Sequence, residues 1–108
     1  MHTRTKALGI TIRVKEEVAD RDIFDGWTCC ILCGTPAPPY NRLAFSNAHY
    51  ISRAQGGLGI EENILTLCPE CHYRYDQTTE RAMLKPFLGR YLKNHYPDWD
   101  ESKLVYQK

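Results

Sequence analysis

Residues 49–76, HYISRAQGGLGIEENILTLCPECHYRYD, decide how this chain is read. The stretch opens on His49, carries Asn63 in its middle and closes on His72 and Asp76. Its CPEC segment supplies Cys68 and Cys71, and a second pair, Cys30 and Cys33 in CILC, stands upstream. Residues 54–59, AQGGLG, must form a loop. They are not a phosphate-binding loop, because no Gly-Lys-Ser/Thr follows. Leu43, Phe45 and Ala48 alternate with polar residues, so a strand is expected over roughly 43–49. Residues 64–67 form a second short strand, giving a hairpin around the glycine loop. A short helix beginning near Cys71 then places His72 and Asp76 on one face, because they stand at i and i+4.

The two C-x-x-C pairs carry the strongest chemical signal. Each delivers two thiolates from one tight turn, and together they fit a tetrahedral zinc site of Cys30, Cys33, Cys68 and Cys71. Gly34 lets the backbone turn after the first pair, and Pro69 pre-sets the second turn. Four thiolates leave no open position on the ion, so this zinc is expected to be structural. Cys29 is the odd fifth cysteine and reads as a free, semi-buried thiol.

Working outward, 108 residues make one small domain. A core that small has little margin against chain entropy, and a metal staple supplements it. The net charge of +1 does not by itself announce a nucleic-acid binder, so any such binding must come from local placement of Lys and Arg. The opening residues MHTRTKALGI lack the apolar run of a secretory signal. No stretch approaches the roughly 20 apolar residues of a membrane span. Reduced cysteines in a cytoplasmic setting are therefore expected.

Residues 1–28 are expected to hold a frayed arm over 1–10 and a helix over roughly 12–20. Thr11 caps that helix, and Ile12, Val14 and Val18 form its apolar stripe. Residues 29–77 hold the knuckles and the hairpin–helix core. Residues 35–41, TPAPPYN, are a proline-rich loop. Residues 78–108 form a helical extension with Thr79 as a cap, kinked or split at Pro86 and ended by Pro97. Asp100 is placed to cap a last turn over 101–106. Tyr96, Trp99 and Tyr106 are expected to fold back on the core.

His72 and Asp76 can share one divalent ion, with His49 approaching from the hairpin as a general base that activates water. Each residue alone also has a bland reading. His49 could be a satisfied core histidine, Asn63 a turn residue, His72 a cap on the knuckle and Asp76 a solvated helix residue.

Together, C-x-x-C-G, A-H-Y-I-S-R with a following Gly-Gly, E-E-N-I and L-C-x-x-C-H resemble the zinc-containing HNH endonucleases. The resemblance covers about residues 12–77, including the lead-in EVADRD, and the AHYISR spelling is similar to phage-type members. It implies a small α+β chain: a ββα-metal core (His-Me finger) stapled by the four-cysteine zinc site and flanked by N- and C-terminal helices. It implies a metal-dependent DNA endonuclease in a bacterial or phage-infected cell. His49 would be the general base, Asn63 the brace that orients it, and His72 with Asp76 the ligands of a catalytic Mg²⁺ or Mn²⁺. Arg53 and Arg74 would meet DNA phosphates.

One position departs from the family pattern. Many members carry Asp or His just before the base, whereas this chain has Ala48. The ion is then held by His72 and Asp76 with extra water and the substrate phosphate, which is the favoured arrangement. The alternatives are that His49 joins the metal shell, or that the chain is a non-catalytic zinc-ribbon module binding DNA or protein. A further rival is an accessory nuclease active only with a phage packaging or recombination partner.

Overall fold

The computed structural model describes residues 3–107. The chain is a small α+β protein. Helices α1 (Thr3–Leu8) and α2 (Ile12–Arg21) precede a two-residue hairpin, β1 (Ile23–Phe24) with β2 (Trp27–Thr28). Strands β3 (Asn47–His49) and β4 (Ile64–Thr66) pair antiparallel, with Ala48 opposite Leu65 and His49 opposite Ile64. Helices α3 (Pro69–Gln77) and α4 (Arg81–His95) follow. The order β3–β4–α3 is a ββα unit. Among the described residues no helix is long and apolar enough to cross a membrane.

Thr11 caps α2 as expected, its hydroxyl accepting from the Val14 amide at 3.2 Å. Val14 and Val18 are buried against Ile64, but Ile12 is exposed and does not belong to the stripe. The main core gathers Leu65, Leu67, Tyr75, Leu88 and Leu92 between the hairpin and the last two helices. Burial of that apolar surface, at about 25 cal/mol per Å², is what holds such short strands.

A buried polar junction ties the layers. Arg21 and Asp22 pair at 2.7 Å, with side chains 8% and 0% exposed. Arg21 also donates to the carbonyls of Ile64 and Glu61 at 2.7 and 2.8 Å. Asp22 accepts from the Thr66 amide at 3.0 Å and from the Tyr91 hydroxyl at 2.5 Å. One ion pair thus fixes α2, β4 and α4 together, and every charged atom has a partner, as burial demands.

Several expectations are corrected. Part of the expected frayed arm is a helix, α1 over Thr3–Leu8, and residues 1 and 2 lie outside the described residues. The strand expected from residue 43 begins only at Asn47. Asn41 explains the delay: its side chain accepts from the Leu43 amide and its carbonyl from the Ala44 amide, which closes a turn there. Pro86 does not split α4, which runs unbroken from Arg81 to His95. The carbonyl that loses its donor belongs to exposed Ala82, where water can serve it. Glu80, not Thr79, occupies the N-cap position of α4 and makes no side-chain capping bond. Asp100 caps only the short turn Glu101–Lys103. Trp99 does fold back, donating to the Glu62 carbonyl at 2.9 Å and meeting Tyr50 edge-on at 5.4 Å.

Candidate functional site

Four cysteines from two separate turns meet beside the start of α3. The Sγ atoms of Cys30, Cys33, Cys68 and Cys71 all lie within 4.8 Å of one another, and Cys33 and Cys68 approach to 3.6 Å. Sulfurs held tetrahedrally at about 2.3 Å from one zinc stand about 3.8 Å apart, so the donor set fits that ion. Two backbone bonds shape the first knuckle: the Gly34 amide donates to the Cys30 carbonyl and the Cys30 amide to that of Thr35, both at 2.8 Å. The second knuckle is the first turn of α3, with Cys68 as its N-cap and Pro69 next. The Ile31 amide donates to the Thr66 carbonyl at 3.1 Å, which registers the two knuckles. Cys29 stays outside the cluster, buried, its thiol directed at the Trp27 carbonyl at 3.3 Å.

Burial pushes the Cys68 and Cys71 thiols above their ordinary value. Burial acts the same way on Cys33, but hydrogen bonds from Thr35, Cys30 and Cys68 outweigh it and bring that thiol down to about 6. A metal ion must therefore displace protons from the buried pair as it binds.

One helical position beyond Cys71, α3 turns a different set of groups toward an open cleft. The cleft is lined by His49, Arg53, His72, Asp76 and Arg81, together with Ser52 and Gln77. His72 Nε2 lies 2.7 Å from Asp76 Oδ2, and His72 Nδ1 lies 2.7 Å from the Ser46 hydroxyl. Arg81 reaches Asp76 at 3.4 Å and donates to the Tyr50 carbonyl at 3.0 Å. His49 Nε2 sits 2.8 Å from the Leu8 carbonyl oxygen. A carbonyl only accepts, so Nε2 carries the proton and Nδ1 is the basic nitrogen of the neutral ring. Burial, with Arg53 and His72 nearby, holds the His49 imidazole below its ordinary value, against the opposing pull of Leu8 and Asp76.

Asn63 is fully buried and does not line the cleft. Its side chain accepts from the Ile51 amide at 2.8 Å and donates to the Leu58 and Ile51 carbonyls at 2.9 and 3.2 Å. It braces the glycine loop against the end of β3. Gly57 lets that brace close: a Cβ there would stand 1.7 Å from the Ile51 carbonyl oxygen.

Ala48 is fully buried in the main core, paired with Leu65. Successive strand residues point to opposite faces, so position 48 looks into the protein while His49 looks into the cleft. Arg53 is exposed at the rim. Arg74 stands apart from the cleft, its guanidinium forked on Glu80 at 2.9 and 3.1 Å. Sequence reasoning missed Ser46 and the Leu8 carbonyl. A hydroxyl three residues before His49 carries no motif, and a backbone carbonyl leaves no trace in sequence.

Among curated proteins none matches the chain. Residues 30–77 match the family model described as HNH endonuclease. That span opens on Cys30, the first cysteine of the cluster, and closes one residue beyond Asp76, so it holds both the sulfur cluster and the ββα unit that carries His49, Asn63 and His72. Across these residues the chain is similar to the HNH endonuclease family.

Proposed function

We propose that the protein is a metal-dependent DNA endonuclease that hydrolyses phosphodiester bonds with His49 as general base. The observation that carries this reading is the shared cleft: His49 from β3 faces His72 and Asp76 from α3, with the basic Nδ1 of His49 left unengaged by its Nε2 contact.

His49 takes a proton from water as that water attacks phosphorus, and its lowered affinity for protons keeps it neutral and ready near pH 7. His72 and Asp76 would hold a divalent cation, and a mixed nitrogen and oxygen donor set open to water suits Mg²⁺ or Mn²⁺. When bound, that cation neutralises charge on a non-bridging phosphate oxygen and on the leaving oxygen. Ser46 fixes the His72 ring through Nδ1, and Nε2 is then the nitrogen directed at Asp76 and available to a cation. With no ligand atom at position 48, water and the substrate phosphate would have to complete the donor set that His72 and Asp76 begin. Asn63 keeps the strand end and loop rigid behind His49 without touching substrate. Arg53 at the rim meets a DNA phosphate. The four-cysteine cluster would hold a structural zinc that clamps the Cys30–Cys33 knuckle to the first turn of α3.

The test is nicking of supercoiled plasmid with Mg²⁺ or Mn²⁺, with and without EDTA. Metal-dependent nicking that disappears in His49→Ala supports the assignment. Nicking by His49→Ala at the wild-type rate removes the base.

The lack of a ligand atom at Ala48 favours one rival, a zinc-ribbon module that binds DNA without cutting it. DNA retention without nicking under either ion would establish that reading.

A further inference from the structure

The region matched by the family model begins at residue 30, yet the hydrogen-bond partner of His49 Nε2 comes from residue 8. We propose that the α1–α2 turn is a positioning element for the base: the Leu8 carbonyl fixes the tautomer and tilt of His49, and Gly59 of the glycine loop sets where that carbonyl stands. The proposal rests on His49 serving as the base.

Three observations place the turn. Leu8 is 2% exposed, so its side chain anchors the end of α1 in the protein. The Gly59 amide donates to the Ala7 carbonyl at 3.1 Å, which ties α1 to the loop between β3 and β4. A Cβ on Gly59 would lie 2.0 Å from the Gly9 carbonyl oxygen and 3.0 Å from that of Leu8, so only glycine permits this approach. The contacts form a closed circuit: the loop leaves β3 at His49, seats the turn at Gly59, and the turn returns a carbonyl to His49.

Neutral imidazole has two tautomers of similar energy in water. An obligate acceptor 2.8 Å from Nε2 selects the form with Nδ1 unprotonated. Without that acceptor the ring divides between tautomers and rotates, and part of the population presents an N–H where the mechanism needs a lone pair.

The test uses two full-length, zinc-loaded variants, Gly59→Ala and Leu8→Ala. The first pushes the turn off the loop, and the second removes its anchor while leaving the loop backbone unchanged. Long-range proton–nitrogen correlation spectra of the histidine rings read the tautomer directly. The wild type is expected to show His49 as a single Nε2–H form, and each variant a mixture. In plasmid nicking kcat should fall about tenfold or more with KM little changed, as misplacement of a reacting group predicts. A single Nε2–H form retained in the variants, or mixed tautomers with wild-type kcat, overturns the proposal. Should Gly59→Ala fail to retain zinc, Leu8→Ala decides. A wild-type protein that nicks under no divalent ion instead breaks the assignment of His49 as base, while the ring spectra still decide whether Leu8 fixes the tautomer.

Discussion

Helix α3 contributes to two clusters of polar side chains that differ in nearly every respect. Its first turn gives Cys68 and Cys71 to a cluster of four like donors, three of them buried, with no position left over. Its next turn gives His72 and Asp76, part-exposed at 22% and 32%, to a cleft open to solvent. Cys71 and His72 are sequence neighbours, but one step along an α-helix rotates the side chain by about 100°. That rotation sends one residue inward to close a staple and the other outward to a surface where ligands can exchange. A closed set of four thiolates suits a staple, whereas the open cleft suits the catalytic role proposed for it.

The comparison breaks first at the staple. Cys71→Ser, or prolonged chelation, should abolish the cooperative thermal transition, because structural zinc binding in small domains supplies on the order of 10 kcal/mol of folding free energy. The loss should be visible by circular dichroism with or without DNA. A zinc-free protein that keeps its transition would show that the hydrophobic core suffices and that the cluster is not a staple.

At the cleft the expected pattern reverses. His49→Ala should keep the zinc content and thermal transition but lose about 10²- to 10⁴-fold in nicking rate, the usual share of a general base. The pH profile sharpens this. The base works when neutral, and its proton affinity in the folded protein is lowered, chiefly by burial. The rate should therefore rise with pH and level off with its midpoint below the ordinary imidazole value of about 6.5. A midpoint above that value would contradict the burial of His49.

His72→Ala and Asp76→Ala separate the two sites by their ions. Each should raise the Mg²⁺ or Mn²⁺ concentration needed for half-maximal nicking, by roughly 10-fold or more, and leave one equivalent of zinc bound. Loss of zinc in either variant would mean that the sulfur cluster and the cleft do not act separately.

The contrast also explains what could be read from the sequence. The sulfur site was legible because its ligands come in two local pairs whose spacing is itself the geometry. The ββα order and the Thr11 cap were legible for the same reason, since each is a short-range pattern. The Arg21–Asp22 junction was not: its partners Ile64 and Tyr91 lie 43 and 69 residues away, and nothing local announces them. Helix α1 was missed because its sequence is polar and lacks a period, while its single buried side chain, Leu8, belongs to a turn that rests on the distant glycine loop. The missing ligand at position 48 looked like a defect in the site. The strand register shows that this residue faces the core, where alanine fits against Leu65.

The smallest expected effects concern DNA contact, where two arginines that look alike in sequence differ in their surroundings. Arg53 stands exposed at the rim of the cleft. Arg74 is forked on Glu80, which lowers the Glu80 proton affinity and raises that of Arg74, so its charge is already answered within the protein. Binding to DNA releases counterions in proportion to the phosphates neutralised. Arg53→Ala should therefore weaken binding at low salt and flatten the dependence of log affinity on log salt by about one unit. Arg74→Ala should change that slope by less, because freeing Glu80 adds a repulsive charge but removes no direct phosphate contact. Binding isotherms over a range of salt concentrations distinguish the two. Equal slope changes would mean that Arg74 leaves Glu80 for the DNA backbone, and that the interface extends past the cleft along α3 to the start of α4.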